Sequence, residues 1–167
     1  DAAKQMGAQL ATVDKLVQEC RVDNEISNTD VNDEVALFIE HEPWPNEVDG
    51  AELLIQLVAA FENYVVLPDG AATALALWVV HAHCHDAAYI SPILTIESPD
   101  KRCGKTTTLG VVQALVPKAL STSNISTAAL FRAVEKWRPT VLIDEADTFL
   151  RDNDELRGVL NSGHNRS

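Results

Sequence analysis

Residues 92–109 constrain the fold of this chain more strongly than any other stretch. The aliphatic run at 93–96 is typical of a buried β-strand. Polar, turn-forming residues then occupy 98–103, and Gly104 and Lys105 begin a pattern with helical periodicity. A strand, a loop, a Gly-Lys-Thr triplet and a helix, in this order, are the arrangement of a phosphate-binding loop in an α/β protein.

Each part of such a loop has a physical role in binding an anion. Backbone N–H groups of the loop and of the helix N-terminus converge on one place, where they favour negative charge. Lys105 adds a positive charge for the outer phosphates, and the Thr106 hydroxyl is suited to ligating Mg²⁺. Pro99 stands where a glycine is usual and removes one N–H donor, and an ordinary strand-to-helix turn is the alternative interpretation. The candidate nucleotide-binding residues are Pro99, Asp100, Lys101, Arg102, Cys103, Gly104, Lys105, Thr106 and Thr107.

A second informative stretch is the apolar run 140–143, which is followed directly by Asp144 and Glu145. Pro139 prevents a helix from continuing into this run, so the pattern predicts a buried parallel strand with carboxylates at its C-terminal end. Ligands bind at that end of the strands in open α/β sheets. We expect Asp144 to ligate the magnesium ion together with Thr106, and Glu145 to polarise an attacking water. The alternative is a strand followed by solvated acidic residues.

Composition and charge limit the partners that this chain can bind. Of the 167 residues, 46% are hydrophobic and 23% are charged, which is ordinary for a globular domain with its own core. No apolar run is long enough to cross a membrane, and the start of the chain has no secretory signal pattern. The three cysteines have no paired spacing, which fits the reducing cytoplasm.

The net charge of −12 is distributed unevenly along the chain. Residues 1–100 contain 3 Lys or Arg against 18 Asp or Glu, whereas residues 101–167 contain 10 against 7. An acidic surface repels phosphate backbones, so any contact with nucleic acid is expected from the C-terminal part.

The periodicity predicts three regions. They are a helical and linker segment at 1–48, a helical hairpin at 49–91 that packs on the core, and a phosphate-loop core at 92–167. Within them we predict helices at 50–64, 71–85, 104–115, 127–137 and 153–160, and strands at 93–96, 119–122 and 140–143. His81 and His85 are one helical turn apart and could share a face as metal ligands, but no second ligand cluster accompanies them.

Four blocks of sequence together resemble one known group of proteins. They are SPDKRCGKTT at 98–107, NISTAALFR at 124–132, RPTVLIDEADTFL at 138–150 and ELRGVLNSGHNR at 155–166. In this order they are similar to the P-loop ATPase domain of phage, prophage and mobile-element replication proteins, a domain of unknown function often described as a DNA primase or helicase. The loop of that family also contains Ser-Pro-x-Lys-Arg-Cys-Gly-Lys-Thr, so Pro99 agrees with the family pattern.

The resemblance implies an α/β P-loop NTPase of the RecA/AAA-like additional-strand class, with a parallel sheet core preceded by an α-helical region. It implies ATP and Mg²⁺ as ligands, Lys105 and Glu145 as catalytic residues, and Thr106 and Asp144 as metal ligands. It also implies action on DNA by a homo-oligomeric ring, when the protein is complete. In that class the strand between the loop strand and the Asp-Glu strand comes from later sequence, so the sheet is expected to be incomplete in this chain.

Two other functional interpretations remain open at this point. The chain could be a nucleotide-binding regulatory or scaffolding module without efficient hydrolysis, because the expected sensor residue and arginine finger are not among the 167 residues. A small-molecule P-loop kinase is a further alternative, although the adjacent Asp144 and Glu145 favour hydrolysis.

Overall fold

A computed structural model of the chain describes residues 44–97, 103–122 and 125–146, together with residue 38 and the pair 157–158. The helices in these ranges are α1 (Gly50–Tyr64), α2 (Ala71–His83), α3 (Lys105–Leu115) and α4 (Thr127–Trp137), and a short 3-10 turn covers His85–Ala87. The strands are β1 (Ala119–Thr122) and β2 (Thr140–Ile143). None of the helices in the described ranges has the length and apolar character needed to span a membrane.

Helices α1 and α2 pack against each other and are joined by the short loop 65–70, which makes them antiparallel. Asp49 caps α1, because its carboxylate accepts a hydrogen bond from the N–H of Ala51 at 2.8 Å. Phe61 of α1 and Val79 of α2 are almost completely buried between the helices. The predicted helix 71–85 is two residues shorter, because His83 is its last residue and the chain then tightens into the 3-10 turn.

The two strands form a parallel pair, in which Ala119 lies opposite Thr140 and Thr122 lies opposite Ile143. Helix α4 connects them, and the Ser126 hydroxyl caps it by accepting a hydrogen bond from the N–H of Ala129. A strand, a helix and a parallel strand form a βαβ unit, so the chain has the α/β class that the sequence predicted.

The sheet has a helix on each face. Leu142 of β2 is buried in a cluster with Val111 and Val112 of α3. Its neighbour Val141 packs instead against the cluster of Leu130 and other α4 residues on the opposite face. Because successive strand residues point to opposite faces, this alternation places α3 and α4 on different sides of the sheet.

The strand predicted at 93–96 is not formed, and that prediction was wrong. Residues 91–97 have no regular secondary structure, and Ile93 is 61% exposed. A strand needs a neighbouring strand to bond its backbone, and among the described residues none pairs with 93–96. Just before this stretch, the carbonyl groups of Ile90 and Pro92 are bonded by side chains of α2. Most of the helical and linker segment predicted at 1–48, and most of the helix predicted at 153–160, lie outside the described residues.

Candidate functional site

The N-terminus of α3 lies at the same end of the molecule as the C-terminal ends of the two strands. The turn 116–118 connects α3 directly to β1, and α3 packs on β1, so the two run in opposite directions. Eleven helical residues rise about 16 Å and four strand residues about 13 Å, so the chain returns almost to its starting level. Because β2 is parallel to β1, the residues that follow Ile143 lie at this end as well.

Gly104 is the residue that precedes α3, and its backbone adopts the left-handed conformation with φ of 83°. An added Cβ would lie 3.2 Å from the Cγ1 atom of Val65, which is tighter than ordinary contact. No side chain caps α3 in the described part of the chain. The first N–H groups of α3 therefore have no side-chain acceptor there and are suited to receive an anion.

The three threonines that follow Lys105 have different environments. Lys105 and Thr106 are exposed at the start of α3, and Thr107 is half-buried. Thr108 is buried, and its hydroxyl donates a hydrogen bond back to the carbonyl of Gly104 at 3.0 Å. Lys105 and Thr106 can therefore meet a ligand, whereas the Thr108 hydroxyl stabilises the turn that presents them.

The acidic pair follows β2 without an intervening residue. The N–H of Asp144 donates to the carbonyl of Thr122 at 3.3 Å, which carries the strand pairing one step beyond Ile143. The Asp144 carboxylate accepts a hydrogen bond from the N–H of Glu145 at 3.0 Å, and Glu145 has a φ of 56°. Asp144 is half-buried and Glu145 is exposed, so the chain turns sharply and leaves both carboxylates accessible.

The topology thus places most of the residues that the sequence singled out at one end of the sheet. Gly104, Lys105 and Thr106 begin α3 at that end, and Asp144 and Glu145 follow β2 there. Cys103 is exposed next to Gly104. The other candidate residues lie outside the described residues: Pro99, Asp100, Lys101 and Arg102.

The histidines at the end of α2 bond backbone carbonyls. His81 contacts the carbonyl of Ile90 at 3.1 Å through Nε2, and His83 contacts that of Leu115 at 2.8 Å. The rings of His81 and His85 meet edge to face with centroids 6.1 Å apart. In the ranges that the structure describes, no group of three or more potential ligands lies together as a metal site.

Sequence reasoning missed Val65 and Trp78 and considered His81 only as a metal ligand; all three contact the chain before or after residues 98–102. One signal in the sequence was the presence of Trp78 and His81, two rings that each carry a polar N–H, three residues apart on a mostly apolar helix.

No family model, no curated protein and no solved structure matches this chain. The case for a function therefore depends on the residues and the geometry of the site itself.

Proposed function

We propose that this chain is the ATP-binding and ATP-hydrolysing module of a replication protein from a phage or mobile element, of the P-loop class that its sequence resembles. One observation carries the proposal. The uncapped N-terminus of α3, with Gly104, Lys105 and Thr106, shares one end of the α/β layers with Asp144 and Glu145. Anion donors and adjacent carboxylates at the C-terminal end of parallel strands suit a magnesium-bound polyphosphate.

The donor set fits the ligands in kind. The first N–H groups of α3 and the Lys105 ammonium would bind the phosphates, and both are accessible at the surface. A hydroxyl and a carboxylate are hard oxygen donors of the type that Mg²⁺ prefers, so Thr106 and Asp144 would hold that ion. When bound, the ion neutralises charge on the phosphates. Glu145 is the exposed carboxylate beside them and would orient the attacking water.

The strand pairing is compatible with the additional-strand class that the sequence resembles. In the kinase class the strand before the loop is the direct neighbour of the strand that carries the acidic residues. Here β2 pairs with β1, and residues 91–97 have no regular secondary structure.

Two substitutions test this proposal. Lys105→Ala should abolish binding of a fluorescent ATP analogue, because the phosphates lose their side-chain cation. Glu145→Gln should bind it like the unmodified chain but should hydrolyse ATP at least tenfold more slowly. Lys136→Ala and Glu135→Gln are matched controls, because both residues are exposed on α4 away from the site.

The outcomes separate the two functional classes that the sequence left open. Normal hydrolysis by Glu145→Gln would remove the assigned role of Glu145. Tight, Lys105-dependent binding with no measurable hydrolysis by the unmodified chain would favour a regulatory or scaffolding module. Binding that Lys105→Ala leaves unchanged would contradict the nucleotide site itself.

For the complete protein we propose DNA as a partner of the C-terminal part and a homo-oligomeric ring as its working form. The basic residues Arg132, Lys136 and Arg138 are exposed on and just after α4, and the charge balance of the chain is positive only in this part. ATPase rates with and without single-stranded DNA, measured at low and moderate salt, test the first proposal. Sedimentation with and without ATP and Mg²⁺ tests the second.

A further inference from the structure

The helical pair formed by α1 and α2 contacts the chain on both sides of residues 98–102. On the N-terminal side, the indole Nε1–H of Trp78 donates to the carbonyl of Pro92 at 2.9 Å. His81 lies three residues later on α2, and its Nε2 contacts the carbonyl of Ile90 at 3.1 Å, with the ring as donor because a carbonyl only accepts. Residues three apart on a helix share a face, so both contacts come from one side of α2.

On the C-terminal side the contact is van der Waals packing between Gly104 and Val65. Gly104 lies so close to Val65 that even a methyl group would press on the Val65 side chain. Val65 is buried, and its N–H is bonded to the carbonyl of Phe61 at 3.0 Å, so it is fixed to the end of α1. The place where α3 begins is therefore set by a side chain of the helical pair.

These contacts matter because residues 91–97 have no regular secondary structure of their own. A chain segment that lacks strand pairing is held by whichever bonds its backbone groups make elsewhere. In the described part of the chain, Trp78 supplies such a bond for the carbonyl of Pro92, and His81 bonds the carbonyl of Ile90 just before the segment.

We propose that Trp78, His81 and Val65 are positioning residues for the nucleotide site. They hold the chain before residue 98 and the start of α3 at a fixed separation and so preorganise the backbone donors around Gly104 for phosphate. This inference rests on the proposed function, because its effect is measured as nucleotide affinity. It assigns the helical pair a part in ligand binding although none of the three side chains is expected to touch the nucleotide.

His83 provides a matched control on the same helix. Its Nε2 contacts the carbonyl of Leu115, which is the last residue of α3. That carbonyl is about 15 Å along the helix from the Gly104 end. Removing the His83 contact should therefore weaken the packing of α2 on α3 without disturbing the chain at the site.

The experiment compares four variants of the full chain, each checked by its thermal unfolding curve. Trp78→Phe keeps an aromatic ring but removes the indole N–H together with part of the ring volume, and His81→Leu removes the ring donor. Each should weaken binding of a fluorescent ATP analogue, in the presence of Mg²⁺, by about fivefold. His81→Gln should bind within about twofold of the unmodified chain, because its amide can donate to the same carbonyl. His83→Leu should lower the midpoint of unfolding but should also bind within about twofold of the unmodified chain.

Hydrogen exchange gives a readout that does not need nucleotide. Amides at 93–97 and at 104–106 should exchange faster in Trp78→Phe than in the unmodified chain. In His83→Leu their exchange rates should be those of the unmodified chain. Equal exchange and equal affinity in Trp78→Phe and the unmodified chain would overturn the positioning role and leave the proposed function intact. Failure of the unmodified chain to bind the analogue would overturn the proposed function, and the exchange rates alone would then decide whether these residues position the backbone.

Discussion

Gly104 and Val65 pack so closely that a β-carbon added to the glycine would lie 3.2 Å from the Cγ1 atom of Val65. The same glycine has a φ of 83°, a conformation that residues with a side chain adopt only at a cost. Two independent constraints, backbone conformation and packing space, therefore favour glycine at the start of α3. Its position next to Lys105 makes both constraints part of the candidate site.

Gly104→Ala should lower the free energy of unfolding by about 1–2 kcal/mol and weaken nucleotide binding at least tenfold. Gly110→Ala is the matched control, because Gly110 lies inside α3 with nothing within 4 Å of an added β-carbon and with no positive φ. It should be neutral or stabilise the chain by up to about 1 kcal/mol. Thermal unfolding and a binding titration measure both effects.

The double variant Gly104→Ala with Val65→Ala separates the two constraints at Gly104. If the crowding against Val65 matters, truncating that side chain should recover part of the lost affinity while the conformational cost stays. Affinity of the double variant below that of Gly104→Ala alone would contradict a steric contribution.

Thr106 and Thr108 should respond to substitution in opposite ways. Thr106 is exposed, so Thr106→Ala should leave the unfolding midpoint nearly unchanged while the Mg²⁺ concentration needed for nucleotide binding rises about tenfold. Thr108→Val keeps the shape of a buried side chain but removes its bond to the Gly104 carbonyl, at a cost of about 1 kcal/mol. Its Mg²⁺ dependence should be that of the unmodified chain. Nucleotide binding titrated against Mg²⁺, with a thermal melt of each variant, checks both expectations. A changed Mg²⁺ dependence in Thr108→Val but not in Thr106→Ala would mean that Thr108, and not Thr106, takes part in Mg²⁺ binding.

Much of the fold could be predicted because its signals are local. Asp49 marks the start of α1, Ser126 caps α4, and Pro139 isolates the apolar run that becomes β2. The helices α1, α3 and α4 and both strands lie where the periodicity placed them, to within one residue. These features depend on neighbours in the sequence, and such neighbours are visible without a structure.

The misplaced element depends on residues that are distant in sequence. The aliphatic residues at 93–96 have strand propensity, but a strand exists only when a neighbouring strand bonds it, and propensity does not say whether one is present. The bond from Trp78 to Pro92 and the contact between Val65 and Gly104 are tertiary, so no local pattern predicts them. For the site, the residue types were readable from the sequence, whereas the contacts that place them were not.

Glu145 combines an assigned role in hydrolysis with an unfavourable backbone conformation. Its φ of 56° is in the left-handed region, where a residue with a β-carbon costs about 1–2 kcal/mol relative to the right-handed one. Glu145→Gly should therefore raise the free energy of unfolding by about 0.5–1 kcal/mol, the relief of strain being partly offset by the greater freedom of glycine in the unfolded chain. The same substitution should abolish ATP hydrolysis while nucleotide binding persists.

Comparison with Glu145→Gln completes this test, because glutamine keeps the strain and loses only the charge. It should match the unmodified chain in stability and Glu145→Gly in the loss of hydrolysis. Chemical denaturation and a phosphate-release assay on the three proteins measure the two effects separately. Stabilisation by Glu145→Gly without loss of hydrolysis would mean that the strain is unrelated to catalysis. Destabilisation by Glu145→Gly would mean that the Glu145 side chain contributes more to stability than its backbone strain costs. Glu145 would then have a structural role in the fold.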